Sequence, residues 1–139
     1  MKHRRTATVQ RILGFLIAGA SLMMLPPALV SWWYHDGTAD LFLVSAVILF
    51  IAGMTIFLPL RHVQEELRLR DGFLVVAVSW ISLALVGALP FLLLMQPEIS
   101  YVDALFESMS GLTTTGATIL TNIDDLPRGI LYYRQQLQW

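Results

Sequence analysis

Three long stretches without a charged side chain constrain this 139-residue chain more than any other feature of its sequence. No Asp, Glu, Lys or Arg occurs in residues 12–35, 41–60 or 72–97, which are 24, 20 and 26 residues long. An α-helix rises about 1.5 Å per residue, so about 20 residues cross a hydrocarbon core about 30 Å thick. A helix on the surface of a soluble domain carries a polar stripe, and the second stretch has none. We therefore predict three transmembrane helices over these stretches.

The composition excludes several other classes of protein. Charged residues make up 14% of the chain, against about 25% in soluble domains. Nine basic and ten acidic residues nearly balance, so the chain lacks the positive field that binds nucleic acid. Without cysteine there is neither a disulfide framework nor a cysteine-based zinc site. No His, Asp or Glu cluster has the spacing of a catalytic or ligand set, so we predict neither an enzyme nor an organic cofactor.

The basic residues predict how the chain is oriented in the membrane. They cluster in the N-terminal tail (Lys2, Arg4, Arg5, Arg11) and in the connection 61–71 (Arg61, Arg68, Arg70), whereas the connection 36–40 has none. Cytoplasmic loops carry the excess of Lys and Arg. The N-terminus and the second connection are therefore predicted to be cytoplasmic. The first apolar stretch is longer than the apolar region of a signal peptide, which favours an uncleaved first helix.

The segment after the third stretch is too polar to be a fourth span. Ser100 stands where it can cap a new helix, with Asp103 three residues later as its partner in a capping box. Apolar residues at helical spacing predict a short helix over 101–110, and Gly111 follows where a C-terminal glycine belongs. Asp103 and Glu107 lie four residues apart and share one face of this helix. Their carboxylates either attract cations at a pore mouth or face solvent, and both interpretations stay open.

Residues 112–118 change the character of the chain again. Three consecutive threonines and Gly116 do not continue a helix well, and we expect extended backbone here. Asp124 or Asp125 is placed to cap a last helix that begins near Pro127. Together these elements predict a re-entrant pore loop, whose carbonyl oxygens replace the hydration shell of a cation. The alternative is a surface turn rich in threonine and glycine, and the spacing alone leaves both open.

At these residues the sequence resembles a known family. The resemblance is carried by Phe106-Glu-Ser-Met-Ser-Gly-Leu-Thr-Thr-Thr-Gly-Ala-Thr118, Asp125-Leu-Pro127, Leu131-Tyr-Tyr-Arg-Gln-Gln-Leu-Gln-Trp139, Arg70-Asp-Gly-Phe-Leu74 and Gly87-Ala-Leu-Pro-Phe91. It is similar to the membrane subunits of bacterial Trk potassium uptake systems (TrkH/TrkG), in the Trk/Ktr/HKT superfamily. The similarity covers essentially the whole chain.

The resemblance implies an all-α integral membrane fold in which four consecutive helix–pore-loop–helix repeats surround a channel-like pore. Two extra helices precede the first repeat. It implies a two-helix membrane domain over 1–71, with spans at about 12–35 and 41–60, and a truncated first repeat over 72–139. Within that repeat the expected parts are the outer helix 72–97, the pore helix 101–111, the filter 112–118 and the inner-helix start 128–139.

Aligned on the glycine, residues 114–118 stand where potassium channels have Thr-Val-Gly-Tyr-Gly. The resemblance therefore implies that Thr114 and Thr115 bind potassium through their backbone carbonyls. Thr113, Gly116 and Ala117 are expected to line the same filter. Ala117 replaces the channel tyrosine and the second glycine is absent, so selectivity for potassium over sodium is left open.

The function implied is potassium uptake across the bacterial inner membrane, with potassium as the transported ion and this chain supplying one quarter of the filter. The chain is then the N-terminal portion of a longer protein. The expected partners are the remaining three repeats, a second copy in a homodimer, a cytoplasmic nucleotide-binding regulatory subunit and the lipid bilayer. The alternative is a small non-conducting membrane scaffold or assembly protein.

Overall fold

The computed structural model describes the backbone of residues 2–63, 69–94 and 98–139, and the side chains of these ranges from residue 6 onward. These ranges are helical or irregular and contain no strand. The helices are α1 (Lys2–Leu22), α2 (Leu25–Tyr34), α3 (Ala39–Leu60), α4 (Leu69–Gly87), α5 (Leu89–Leu93), α6 (Tyr101–Leu112) and α7 (Arg128–Gln136), with a 3-10 turn at Ile123–Asp125.

Three helical segments are long and apolar enough to cross a membrane, which confirms the predicted number of spans. They are Thr6–Tyr34, Ala39–Leu60 and Leu69–Leu93, with 29, 22 and 25 residues. The first and third begin before the charge-free stretches do and include the charged residues Arg11, Arg70 and Asp71. Residues 95–97, the expected end of the third span, lie outside the described residues, as does Arg68.

Prolines interrupt the first and third spans. α1 ends at Leu22 and α2 restarts at Leu25, with proline in its first turn. Pro27 has no N–H, so it cannot donate to the carbonyl of Met23, four residues earlier. The side chain of Gln136 replaces that donor, with its Nε2 2.8 Å from the oxygen of Met23. The break between α1 and α2 is thereby joined to α7.

Helix α1 packs most extensively against α3. Glycines bring the two backbones into contact: a Cβ added at Gly53 would lie 2.7 Å from the Cα of Ala18. One added at Gly14 would lie 2.8 Å from the backbone nitrogen of Phe57. Small residues at a crossing point are the usual device for close packing of membrane helices.

The short helix α7 lies at the centre of the core. The ring of Tyr133 is almost completely buried between those of Phe42 and Phe91, with centroid distances of 5.6 and 5.4 Å. Its hydroxyl donates a hydrogen bond to the carbonyl of Gly87, 2.9 Å away, at the end of α4. Ile130 of α7 is also fully buried. Helices α3, α4 and α5 therefore all contact α7.

The outward surface of the three spans is covered by large apolar side chains. Exposed examples are Phe15, Leu29, Val44, Val47, Ile51, Phe73, Val76, Trp80 and Ile81. Since water does not solvate such a surface favourably, it suits contact with lipid or with further membrane helices.

Candidate functional site

Helix α6 begins at the predicted cap. The side chain of Ser100 accepts a hydrogen bond from the backbone N–H of Asp103 at 3.2 Å, which confirms Ser100 as the N-cap residue. Helix α6 packs against α4, and Ser108 is a small buried residue at this contact. Its hydroxyl donates a hydrogen bond to the carbonyl of Ala84, 2.8 Å away.

The prediction that Gly111 ends α6 as a C-terminal glycine is wrong. The helix continues through Leu112, and the first residue with positive φ is Thr114, at 56°. Gly111 is instead a packing residue, since a Cβ added there would lie 2.7 Å from the Cβ of Leu137. Its lack of a side chain allows the segment that follows α7 to lie against α6.

The backbone after α6 folds back on the end of that helix. We call residues 113–118 the Thr-Gly loop. Its first four N–H groups donate to carbonyls of the last turn of α6, so the loop satisfies acceptors that a helix C-terminus leaves free. The bonds are Thr113 to Met109 (2.9 Å), Thr114 to Gly111 (2.9 Å), Thr115 to Ser110 (3.0 Å) and Gly116 to Ser110 (3.4 Å).

The loop is not uniformly extended, in contrast to the expectation from its sequence. Thr114 and Gly116 both have positive φ, at 56° and 73°. Between them Thr115 has negative φ, so the backbone alternates in hand over these three residues. Glycine adopts such angles without steric cost, whereas a threonine there is strained by about 1–3 kcal/mol.

Four consecutive backbone carbonyls of the loop have no hydrogen-bond donor in the part of the chain that the structure describes. Within residues 2–63, 69–94 and 98–139, no N–H or side-chain group donates to the carbonyl oxygens of residues 113–116, and these residues are exposed. The set ends at Ala117, whose carbonyl accepts from the hydroxyl of Ser110 at 2.6 Å. With their N–H groups bonded to α6, these four residues leave their oxygens free for a ligand outside the chain.

The hydroxyl groups of the loop are ordered by local contacts. Thr113 Oγ1 donates to the carbonyl of Met109, and it lies 2.8 Å from Thr115 Oγ1. Among the described residues, no three His, Asp or Glu side chains come together to hold a metal ion. The oxygen atoms that can bind a cation at this site are therefore the backbone carbonyl oxygens and the hydroxyl oxygens of threonine.

Glu107 fastens the far end of the Thr-Gly loop. Its side chain is 1% exposed. Oε1 accepts hydrogen bonds from Thr118 Oγ1 at 2.6 Å and from the N–H of Ile119 at 2.8 Å, and Oε2 lies 3.0 Å from Arg134 Nε of α7. The interpretation that Glu107 faces solvent is wrong, because its carboxylate is buried and paired with Arg134. The missed signal was Arg134, the second of two arginines in helix α7.

The prediction that Asp124 or Asp125 caps α7 is also wrong. Both lie in the 3-10 turn, and the cap position is Pro127, which has no side-chain hydrogen bond to offer. The cap comes from Asp36 instead, whose Oδ2 accepts from the N–H of Gly129 at 2.7 Å. Asp36 reaches this amide because α2 packs against α7 and Phe42 of α3 packs against Tyr133 of α7.

The carboxylate of Asp36 is held by donors from three segments. Oδ1 accepts from the hydroxyl of Ser31, from the N–H of Thr38 at 3.0 Å and from Thr38 Oγ1 at 2.8 Å. Partial burial alone raises the pKa of this carboxyl group. The hydrogen bonds from Ser31, Gly129 and Thr38 outweigh burial and lower the pKa below its usual value. Asp36 is therefore ionised at neutral pH and aligned with the positive end of the α7 dipole.

Three membrane-length helices and a loop with free carbonyls between two shorter helices define a multi-pass membrane protein. The sequence profile of the TrkH cation transport proteins matches residues 40–139. The chain belongs to this family of cation transport proteins. The matched residues include the Thr-Gly loop and all helices from α3 to α7, apart from the first residue of α3.

Individual relatives agree with the family assignment. The chain is 52% identical over 131 residues to the Trk system potassium uptake protein TrkH of Halomonas elongata, covering 94% of this chain and 27% of that one. It is 36% identical over 139 residues to TrkG of Escherichia coli K12, covering 100% and 29%. The crystal structure of the potassium transporter TrkH from Vibrio parahaemolyticus superimposes with a TM-score of 0.91 at 46% identity, covering 100% of this chain and 29% of that one. The chain thus spans less than a third of the length of these relatives.

Proposed function

We propose that this chain supplies one of four filter segments of a potassium-uptake pathway, and that the Thr-Gly loop is that segment. Potassium is bound by the backbone carbonyls of Thr114 and Thr115, with those of Thr113 and Gly116 beside them. Ala117 contributes to the wall of the site, while its carbonyl is held by Ser110.

The single observation that carries this proposal is the run of four free carbonyls. The N–H groups of this backbone are bonded to a helix end, while successive carbonyl oxygens have no hydrogen-bond partner among the described residues. Such carbonyl oxygens can replace the water ligands of an alkali cation. The carbonyl end of α6 adds partial negative charge at the same place. Neutral oxygen ligands also suit a transported ion, because they bind it without a fixed counter-charge that would hold it too tightly.

The incomplete site explains why the remainder of a longer protein is needed. A single loop cannot surround a cation, so we infer that three further segments of the full-length protein complete the coordination. In the same proposal α4 and α5 form the outer helix, α6 the pore helix and α7 the start of the inner helix of the first repeat.

We further propose that the protein lies in the bacterial inner membrane with its N-terminus in the cytoplasm, as the basic residues favour. Relatives are named as parts of a Trk system, and we propose a homodimer and a cytoplasmic nucleotide-binding subunit as partners. The connection 61–71 is on the proposed cytoplasmic side, although residues 64–68 lie outside the described residues.

The experiment that tests the proposal is Gly116→Val in the full-length protein, with uptake of rubidium or potassium measured in cells that lack other potassium uptake. A Cβ at Gly116 meets no atom within 4 Å, so the variant is expected to fold. The φ of 73° strains valine by about 1–3 kcal/mol, which should lower uptake about tenfold or alter cation selectivity.

The matched control is Gly19→Val, another glycine with no atom within 4 Å of an added Cβ but with an ordinary helical backbone. It should transport as the parent does. If Gly116→Val leaves both uptake and selectivity at the parent level, the Thr-Gly loop is not a filter segment, and the non-conducting scaffold becomes the better interpretation.

A further inference from the structure

We propose that Asp36 is a positioning residue for the Thr-Gly loop, acting from the connection between the first two spans through helix α7. The proposal rests on the proposed function for its effect on ions. Its structural part stands on contacts alone. It assigns a role to helices α1 to α3, which precede the proposed first repeat.

The first step is the contact between Asp36 and α7. The N–H of Gly129 belongs to the first turn of α7, where no residue of the helix itself can accept from it. Asp36 supplies that acceptor from a position 93 residues earlier in the chain. Gly129 also has no room for a side chain, since an added Cβ would lie 2.8 Å from Thr38 Oγ1 and 2.9 Å from Ser31 Cβ. The start of α7 therefore sits directly on the residues that bind Asp36.

The second step is that α7 is held at both ends by residues at the two ends of α2. At its other end Gln136 donates to the carbonyl of Met23, at the break between α1 and α2. Between these two anchors Tyr133 is packed against Phe42 of α3. The first two spans therefore contribute contacts at both ends and at the middle of α7.

The third step leads from α7 to the Thr-Gly loop. Arg134 lies between the two anchors and is the ion-pair partner of Glu107. Glu107 in turn accepts from Thr118 and from the N–H of Ile119, where the loop ends. A shift of α7 along its axis would move Arg134 away from Glu107, and the loop would lose the group that fixes its far end.

The test compares Asp36→Asn with the parent in the full-length protein, using amide hydrogen exchange of the purified protein in detergent. Asparagine keeps the size of Asp36 but has only one acceptor oxygen, so it cannot serve Gly129 and Thr38 together. We expect exchange about tenfold faster in residues 128–131 and also faster in residues 113–119. Asp40→Asn is the matched control, because Asp40 is an exposed carboxylate four residues later, and it should change neither segment.

A double variant separates positioning from general loosening. If Asp36 acts through Glu107, then Asp36→Asn added to Glu107→Gln should change exchange of residues 113–119 no further than Glu107→Gln does alone. The same non-additivity is expected in the inhibition of rubidium uptake by sodium. Should Asp36→Asn fail to accumulate, Ser31→Ala provides a milder change, since it removes one donor to Asp36 and leaves the Gly129 bond; about threefold faster exchange in both segments is expected.

Unchanged exchange in residues 113–119, an equal change with Asp40→Asn, or additive effects in the double variant would each overturn the proposal. Exchange does not depend on transport, so the proposal can fail or stand separately from the proposed function. If Gly116→Val shows that the loop is not a filter while exchange responds as expected, Asp36 still positions the loop and only the link to ions is lost.

Discussion

Neutralising Glu107 should damage both the stability of this region and the Thr-Gly loop, because its carboxylate is buried and serves three donors. In Glu107→Gln the side-chain amide keeps one acceptor oxygen, and its NH₂ group takes the place of the other oxygen. This NH₂ group then faces either the donors Thr118 and Ile119 or the donor Arg134, and cannot accept from them. Arg134 is left 13% exposed and without its counter-charge. Breaking a buried pair from one side costs about 3–5 kcal/mol. Because Arg134 retains some access to solvent, we expect about 2–3 kcal/mol here.

The assay is the thermal midpoint of the purified full-length protein, read by size-exclusion of heated samples, together with rubidium uptake and its inhibition by sodium. Glu107→Gln should lower the midpoint of the full-length protein by about 2–3 °C and raise inhibition by sodium. Glu107→Gln combined with Arg134→Gln should recover part of the midpoint, since no unpaired charge remains. Asp103→Asn, one turn earlier on the same helix, should stay within about 0.5 kcal/mol of the parent. A Glu107→Gln protein with the parent midpoint and parent selectivity would refute this reasoning.

Three further results are expected. Gly53→Leu should destabilise the protein by more than about 2 kcal/mol, because the new side chain would meet the backbone of Ala18. The control Gly72→Leu meets no atom near its Cβ and should leave the stability unchanged. Equal thermal midpoints for the two variants would contradict the packing of α1 on α3. Ser110→Ala removes the hydrogen bond to the carbonyl of Ala117. It should change the inhibition of rubidium uptake by sodium without lowering the amount of protein in the membrane. Unchanged inhibition by sodium would mean that this hydrogen bond does not shape the site. Because the pKa of Asp36 is lowered from 3.8 in the folded protein, its contribution is complete above that pH and is lost only as the pH falls through the lowered value. Exchange of residues 128–131, corrected for its intrinsic pH dependence, should therefore not change between about pH 8 and pH 5, and a marked rise in that range would contradict the assignment.

The spans were predictable because a helix that crosses a bilayer needs about 20 consecutive apolar residues. Charge-free runs of at least 20 residues are visible directly in the sequence. The cap of α6 was predictable for a different reason. Ser100 and Asp103 are close in sequence, so their hydrogen bond needs no knowledge of the fold. The break at Pro26–Pro27 has an equally local cause in the missing N–H groups.

The parts that the sequence did not reveal depend on contacts between distant segments. Local rules assigned the cap of α7 to Asp124 or Asp125, but the acceptor is Asp36, which only the packing of the first two spans brings to Gly129. Similarly, a carboxylate such as Glu107 is rarely buried without a partner, and that partner, Arg134, lies 27 residues away. A glycine that follows a short helix, such as Gly111, serves equally as a cap or as a packing site, and only the position of Leu137 distinguishes them.

The most direct measurement of the central claim is a crystal structure of the full-length protein grown in rubidium, with anomalous scattering used to locate the ion. We expect a rubidium peak in contact with the backbone oxygens of Thr114 and Thr115, for which the described residues provide no hydrogen-bond donor. In crystals of Gly116→Val the peak should weaken or disappear. A rubidium site elsewhere in the pore, with the carbonyls of residues 113–116 hydrogen-bonded within the protein, would contradict the account.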